Sequence, residues 1–581
     1  MTNSSQRTIT LQQLIDSNQI NKNSDAVGRQ LSAVIQASVN PKLIANIPFQ
    51  QLRLDSRQVV TDDVFILLKS QTQNCQKSRD YLYQAAKQAA FILSEIEPVA
   101  LLAPANIPPN ANIQLNEAKI NGTKINGTRP AINSQYSVPQ QLAALPCSVL
   151  YVPNIRDFLG DLAQACLQYQ QPMALPTVVA VTGTNGKTTI SQLVAQLAQL
   201  ADMSSAVMGT AGNGKLGALI QASHTTGDAL AVQQFLYQMA TEGADLLALE
   251  ASSHGLDQQR LQGVPVKIAI YTNLSRDHLD YHADMAEYVA AKAKLFDKTH
   301  FPTLTHAIIN IDDDYAQTML DTAHASNLTV WTYSLDAMSN ATFIASTIEP
   351  SLQGVQITLR SNVDGFNVDG EFNNNEFGDM NIVSPLLGRF NVANLLAAIA
   401  AAVALGISLE RIAAVVPQLQ GAIGRMQQVP SADGCFIVDY AHTPDALSQV
   451  LTSLKTHCCG QLWAVFGCGG DRDAGKRPLM AQAGLVGADQ VILTADNPRT
   501  EDPNTILKDM QVGMSAEQYQ RTHIELARQK AIEYAVSHAG VDDIVVIAGK
   551  GHETYQEING VRYDFDDSVI LQQALQQVGR T

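Results

Sequence analysis

The sequence predicts an α/β protein built in three domains, with a phosphate-binding loop at the head of the second. Three observations carry this: a chain too long for one core, apolar runs alternating with helix-period segments, and a glycine-rich turn set between strand and helix. At 581 residues the chain exceeds what a single core supports, and length alone suggests roughly three or four domains. TVVAV, DLLALE, IAIYTN and AIINI lie in the middle of the chain, and FIVDY, LWAVFG, QVILTA and DIVVIAG follow towards its end. Such short apolar runs between helical patterns predict parallel sheets covered by helices. The proline-containing QYQQPMALP and the stretch VVPQLQGAIG place the expected boundaries near 175 and 420, giving domains 1–175, 176–420 and 421–581.

Composition narrows the function classes. A hydrophobic content of 46% and a mean hydropathy of −0.03 describe an ordinary globular protein. The formal charge of −16 argues against a nucleic-acid surface, which needs clustered positive charge. The start, MTNSSQRTITLQQLID, carries no basic-then-apolar export pattern. The longest apolar stretch, NLLAAIAAAVALGI (394–407), falls short of the roughly 18–20 residues of a membrane span and reads as a buried helix. Seven cysteines (Cys75, Cys147, Cys166, Cys435, Cys458, Cys459 and Cys468) include no C-x-x-C pair, which fits neither a disulfide framework nor a zinc site. Buried thiols in a cytoplasmic protein are expected. Residues 105–140, rich in Asn, Pro, Gly and Ser, read as a flexible surface loop inserted in the first domain, without a catalytic role.

TVVAVTGTNGKTTISQLVAQLAQL is a strand, a glycine-rich turn and an apolar-periodic helix. Gly183, Thr184, Asn185 and Gly186 let backbone N–H groups close on phosphate oxygens, and the helix that follows turns its positive end towards them. Lys187 is expected to reach the terminal phosphates, and the Thr188 hydroxyl, followed by Thr189, to ligate magnesium. The longer G-x-x-x-x-G-K-[ST] pattern is not met, because Val181 holds its first glycine position. This is a nucleoside-triphosphate site. ADLLALE ends in Glu250, where a metal-binding acid of such an enzyme belongs. IAIYTNLSRDHLDYH then supplies Asp277, His278 and Asp280, and AEYVAAKAKLFD is a helix carrying Lys292. Alone, His278 reads as a hydrogen-bonded structural histidine and Lys292 as a solvated helix residue. Further on, QVILTADNPRTED is a buried strand stopped by the turn Asn497-Pro498, with Asp496 and Arg499 beside it. Ligands of open α/β sheets sit beyond the carboxyl ends of the strands. A carboxylate for Arg499 and an amine for Asp496 together describe an amino acid.

GTNGKTT, EASSHGLDQQR, TNLSRDHLDYH, AAKAKLF, GRFNVANLLAA, GRMQQV, DYAHTPDAL, GCGGDRDAGKRPLM, DNPRTEDP and AGKGHE, in this order, resemble the Mur ligases of peptidoglycan synthesis. Within that family the resemblance is to the members that add meso-2,6-diaminopimelate to UDP-N-acetylmuramoyl-L-alanyl-D-glutamate. It runs from about residue 176 to 570; before that only LDSRQV and the adjoining strand take part. The resemblance implies a domain for the UDP end of the substrate, a central ATPase and a Rossmann-like domain for the incoming amino acid. It implies a cytoplasmic, monomeric enzyme using ATP and Mg2+. Lys187 and Thr188 then belong to the phosphate loop, Glu250 and His278 to magnesium, and Lys292 matches a lysine carbamylated by carbon dioxide. Asn391, Arg425 and Asp439 match further nucleotide contacts. Thr225, Thr226, Ser252, Gln258 and Arg260 match the UDP-muramoyl peptide site, with Leu54 and Ser56 at its uridine end. Arg472, Asp496, Asn497, Pro498, Arg499, Gly549 and Glu553 match the diaminopimelate pocket, where Arg499 pairs with the far carboxylate and Glu553 suits the ammonium group. The implied chemistry is amide formation through an acyl phosphate; no general base is singled out.

Two stretches depart from the family pattern: His224 stands where asparagine is usual, and SQTQNCQKSRD replaces a glycine-rich turn. Rival readings are a folylpolyglutamate synthase, a Mur ligase adding a different amino acid, a slow regulatory ATPase, and a nicotinamide dehydrogenase. EASSHGL, DNPR and GKGHE together oppose the first two. The regulatory reading leaves Arg472, Arg499 and Glu553 without a reason to converge. The dehydrogenase reading fails on FGCGGDR, which has Arg472 in place of the last glycine of G-x-G-x-x-G.

Overall fold

The computed structural model describes residues 7–16, 32–33, 35–36, 41–69, 75–98, 101, 145–221, 225–279, 281–351, 354–363, 378–422 and 424–581. The 105–140 segment, His224, Asp280 and residues 70–74 of the altered turn lie outside the described residues. Strands Leu52–Arg53, Val64–Leu67, Phe91–Ser94 and Ser148–Tyr151 form a four-stranded parallel sheet in that order. Helix Leu159–Gln170 then leads towards the second sheet.

The second sheet has ten strands. From Phe343–Ser351 across Thr329–Ser334, His306–Asn310, Val266–Tyr271, Thr177–Thr182 and Leu246–Glu250 to Ser205–Gly209, neighbours run parallel. Gly354–Ser361 with Gly378–Ser384 at one edge, and Gly212–Lys215 at the other, add antiparallel strands. The four apolar runs read from the sequence are the central strands, buried on both faces, as parallel strands under helices must be. The strands that reading omitted lie towards the edges. Phe343–Ser351, buried only over its first residues, alternates into polar positions and carries no continuous apolar signal. Helices Lys187–Leu200 and Arg389–Ala404 cover one face, and Ala229–Thr241, Met285–Ala293 and Ala316–Ala325 the other. NLLAAIAAAVALGI falls largely in Arg389–Ala404, buried on nearly every side; among the described residues no helix is long and apolar enough to cross a membrane.

The third sheet has six strands in the order Gln427–Val429, Cys435–Asp439, Ile544–Ala548, Leu462–Phe466, Gln490–Leu493, Thr522–Ile524. All neighbours are parallel except the first pair. Pro444–Lys455, Lys476–Gly487 and Pro503–Met510 pack on one face, Arg528–His538 and Asp567–Gln577 on the other. Cys147, Cys166, Cys435, Cys458, Cys459 and Cys468 are free thiols, but only Cys166 and Cys435 are buried and Cys459 is exposed, so the expected burial holds for two of them.

Helix Arg389–Ala404 is capped by side chains from the third sheet's layer. The N–H of Gly388 donates to Nε2 of His457 (3.0 Å), and that of Arg389 to Oγ of Ser453 (3.0 Å). His457 Nδ1 lies 2.8 Å from the carbonyl of Ser351, so Nδ1 carries the proton and Nε2 is the acceptor. Burial holds this imidazole below its ordinary 6.5. The unfolded chain therefore takes up the proton first. The contact contributes fully above about pH 6.5 and is lost as pH falls below it. Thermal unfolding compared at pH 7.5 and 5.5 is expected to show a smaller acid loss in His457→Gln than in the wild type, by about 1 kcal/mol. Equal acid losses would remove His457 from the account.

Candidate active site

The phosphate loop sits at the carboxyl end of strand Thr177–Thr182, in the middle of the large sheet. Gly183 has no room for a side chain: a Cβ there would run into Thr272 Oγ1. The strand Val266–Tyr271 continues into Thr272 and Asn273, which shape the loop. The N–H of Thr184 donates to the Asn273 carbonyl (2.7 Å), that of Asn185 to Asn273 Oδ1 (3.0 Å), and Thr272 Oγ1 to the Asn185 carbonyl (2.6 Å). Helix Lys187–Leu200 starts immediately after Gly186. Lys187 curls over the loop, its Nζ donating to the carbonyls of Gly183 (2.9 Å) and Thr184 (2.8 Å). Desolvation lowers its pKa, opposed by Glu250 and reinforced by Arg425.

Thr188 Oγ1 donates to Glu250 Oε1 at 2.9 Å, and Glu250 is 2% exposed. Thr210 completes the cradle, its N–H 2.7 Å from Glu250 Oε1 and its hydroxyl 3.2 Å from Oε2. A hydroxyl and a buried carboxylate beside a phosphate loop suit a hard cation that takes its other ligands from water and phosphate. Among the described residues no group of three or more His, Cys, Asp or Glu stands ready to hold a metal. His278 lies to the side, at φ 54°, with its ring 5.0 Å from that of His254 and 6.0 Å from that of Tyr288. Lys292, read alone as solvated, is 1% exposed. Its Nζ donates to the same Gly183 carbonyl that Lys187 uses (2.7 Å) and lies 4.6 Å from the centre of the Tyr288 ring. Desolvation first, then the charge of Lys187, push this amine well below the ordinary lysine range.

The second constellation lies at the carboxyl edge of the third sheet. Asn497 is its hub: Oδ1 accepts from Lys550 Nζ (3.0 Å) and the Glu557 N–H (2.9 Å), while Nδ2 donates to Glu553 Oε2 (2.9 Å). Because both partners of Oδ1 are donors, the amide orientation is fixed. Lys550, fully buried, also reaches Asp496 (3.3 Å) and Glu553 (3.5 Å). Arg499 donates from Nη1 to the Gly470 carbonyl (2.7 Å), which places its guanidinium on the loop that carries Arg472. Gly549 follows strand Ile544–Ala548 and stands beside the Asp496 carboxylate. Below, the buried pair Arg528–Asp567 (2.7 Å) braces the end of that strand, since Arg528 also donates to the Ala548 carbonyl (2.9 Å).

Thr226, Ser252, Gln258 and Arg260 form one network. Thr226 Oγ1 donates to the Glu250 carbonyl (2.8 Å), Ser252 Oγ to Thr226 Oγ1 (3.0 Å), Arg260 to the Thr226 carbonyl (2.9 Å) and to Gln258 Oε1 (2.7 Å). Thr225 reaches the same centre through Thr210, 3.0 Å away. A cavity of about 200 Å³ joins Leu54, Gln258 and Arg260 with Arg156 and Asp228. Ser56 does not line that cavity and donates to Gln84 (3.2 Å).

Residues 181–402 match the Mur ligase middle domain, and residues 424–551 the Mur ligase glutamate ligase domain. A UDP-N-acetylmuramoyl-L-alanyl-D-glutamate–2,6-diaminopimelate ligase of Chromobacterium violaceum is 42% identical over 434 residues, 74% of this chain and 83% of that protein. The chain belongs to the Mur ligase family. A ligase of the same name from Coxiella burnetii is 38% identical over 554 residues, 94% of this chain and all of that protein. A solved structure titled as such a ligase is 40% identical, with a TM-score of 0.67 over 99% of this chain and 100% of that one. The three-domain architecture expected of a Mur ligase is therefore the architecture here.

In this Mur ligase the residues expected on the nucleotide side come from the layers of the second and third sheets. Asn391 is buried, its Nδ2 donating to the Leu387 carbonyl (2.8 Å) and its Oδ1 accepting from Asn394 (3.0 Å). Asn394, one turn on, makes the closer approach to the loop, standing against Gly186. Asp439 accepts from the N–H groups of Met426 and Ala441 (2.7 Å each), and the Arg425 guanidinium lies 4.5 Å from the centre of the Tyr440 ring. Residues absent from the sequence reading are Thr210, Thr272, Asn273, Asn394, Lys550 and Arg528. Asn394 carried a signal, three positions from Asn391 on one helix face, and Lys550 stood inside the quoted GKGHE. Thr210 carried none, since a threonine after a strand is commonplace.

Proposed function

We propose that this Mur ligase adds meso-2,6-diaminopimelate to UDP-N-acetylmuramoyl-L-alanyl-D-glutamate at the expense of ATP, a cytoplasmic step of peptidoglycan precursor synthesis. The constellation centred on Asn497 carries this reading. It offers a guanidinium for one carboxylate and, a short way off, acidic oxygens for an ammonium group, beside a Mur ligase phosphate loop. We divide the chain into a UDP-substrate domain (1–175), an ATPase domain (176–420) and an amino-acid domain (421–581), each built on one of the three sheets. The site draws on all three within one chain, which supports a monomer. Free thiols and dependence on ATP support the cytoplasm.

In the proposed mechanism the Gly183–Thr189 loop and Lys187 hold the ATP phosphates, with Asn391, Arg425 and Asp439 on the nucleotide side. Thr188 and Glu250, with His278, would hold Mg2+, which would supply neutralisation of phosphate charge. Lys292 would join that set as a carbamate, formed when its neutral amine adds to carbon dioxide and gives up a proton. Thr225, Thr226, Ser252, Gln258 and Arg260, with Leu54 and Ser56, orient the substrate so that its free glutamate carboxylate faces the terminal phosphate. The carboxylate takes the phosphoryl group, giving an acyl phosphate and ADP. The diaminopimelate amine, delivered by Arg472, Asp496, Asn497, Pro498, Arg499, Gly549 and Glu553, attacks the acyl carbon and phosphate leaves. Phosphate release from ATP in the presence of the UDP substrate tests the reading. Stimulation by meso-diaminopimelate and not by L-lysine is expected. Release indifferent to both amino acids would overturn the ligase reading.

A further inference from the structure

Arg499 has its backbone at φ 52°, in the left-handed region that a non-glycine residue adopts only when its surroundings hold it there. A short hairpin supplies the hold. Strand Tyr555–Ile558 pairs antiparallel with Val561–Asp564 through a two-residue turn, with Asn559 at φ 50° and Gly560 at φ 74°. Positive φ at both turn positions with Asn-Gly is the signature of a type I′ turn, whose twist suits a two-residue hairpin. The hairpin clasps the peptide of Arg499 on both sides. The Arg499 N–H donates to the Glu557 carbonyl (2.9 Å), and the Asn559 N–H donates to the Arg499 carbonyl (2.6 Å). The same strand fixes the neighbours: the Glu557 N–H donates to Asn497 Oδ1 (2.9 Å) and Gln556 Nε2 to the Asp496 carbonyl (2.6 Å).

On the side-chain end, Arg499 Nη1 holds the Gly470 carbonyl, its charge lies near the Asp471 carboxylate, and among the described residues none hydrogen-bonds its Nε or Nη2. The guanidinium is thus anchored by one N–H and presents the others. The outer strand Val561–Asp564 is exposed along its whole length, and a lone two-stranded hairpin is marginal in water. Its closure therefore depends on its dock, and the dock on its closure.

We propose that the Tyr555–Asp564 hairpin is a specificity element of the amino-acid pocket, with Asn559 and Gly560 acting as positioning residues for Arg499. The proposal rests on the reading of Arg499 as the grip on the far carboxylate. When the turn closes, the guanidinium is aimed; when it loosens, amino acids with and without that carboxylate become less distinguishable.

The test compares Gly560→Val, Gly560→Ala and Gly560→Asn in the full-length enzyme. A Cβ at Gly560 meets open space, so these substitutions act through the turn conformation alone. Asparagine accepts the left-handed region, whereas valine opposes it. Gly560→Val is expected to raise KM for meso-diaminopimelate about tenfold and to narrow its kcat/KM advantage over L-lysine by a similar factor. KM for ATP and for the UDP substrate should stay within about twofold, and Gly560→Asn should behave as the wild type. Should Gly560→Val fail to fold, Gly560→Ala is expected to show the same pattern at roughly threefold. Wild-type discrimination that disappears in Arg499→Ala but survives unchanged in the folded Gly560 variants would overturn the hairpin's role alone. A wild type that does not discriminate would overturn the reading of Arg499 and the hairpin's role with it.

Discussion

Lys292→Arg is expected to lower kcat by about 10³-fold. Arginine keeps a positive charge but cannot add to carbon dioxide, so the substitution separates two roles for this side chain. Lys292 is 1% exposed, bound to the carbonyl of Gly183 and close to the charge of Lys187. Burial and the Lys187 charge favour the neutral amine, which is the form that reacts with carbon dioxide. The sign of the pH effect follows. Because the folded pKa lies well below the ordinary 10.5, the amine is available for carbamate formation at lower pH than a solvated lysine, and that availability is lost as pH falls through the folded value. Enzyme held in acidic, CO2-free buffer is therefore expected to lose activity and recover it on adding bicarbonate at neutral pH. With 13C-labelled bicarbonate, a carbamate carbon signal should be seen in the wild type and be absent in Lys292→Arg. An arginine variant retaining most of its activity would show that a cation suffices.

The second large effect is expected at Arg499. Arg499→Ala should reduce kcat/KM for meso-diaminopimelate by roughly 10³-fold while changing that for L-lysine little, because a charge-assisted pair loses one partner. The guanidinium matches a carboxylate in shape as well as charge, so Arg499→Lys should recover only part of the loss. Steady-state kinetics with both amino acids measure this directly. Equal losses for the two would assign Arg499 to holding the Gly470 loop, to which it already donates, and not to selecting the ligand.

The readability of the two sites in the sequence differs for a physical reason. The phosphate loop is local: strand, turn and helix follow one another, and the chemistry of TGTNGKTT is carried by backbone and side chains within a few residues. Its partners are not. Thr272 and Asn273 shape the loop from 87 or 88 residues away in the chain, and no periodicity links them to it. Asp496 and Arg499 were legible because a proline-fixed turn at a strand end is a local signal. Lys550 and the Glu557 backbone, which orient Asn497, come from beyond the neighbouring strand and meet it only once the sheet is assembled. Lys292 shows the limit most sharply. On a helix of alanines a lysine reads as solvated, and only the packing of Met285–Ala293 against the loop buries it.

The sequence alone determined the α/β class, the central apolar strands, the nucleotide loop and, through its ordered motifs, the ligase family. Each depends on contacts short in sequence or on patterns repeated along an element. The tertiary structure decided which carboxylate meets Thr188, which amine is stripped of water, which face caps helix Arg389–Ala404, and what holds Arg499 in a conformation it would not adopt by itself. Those outcomes depend on desolvation and on hydrogen bonds between distant segments, and both arise only when the sheets close around them.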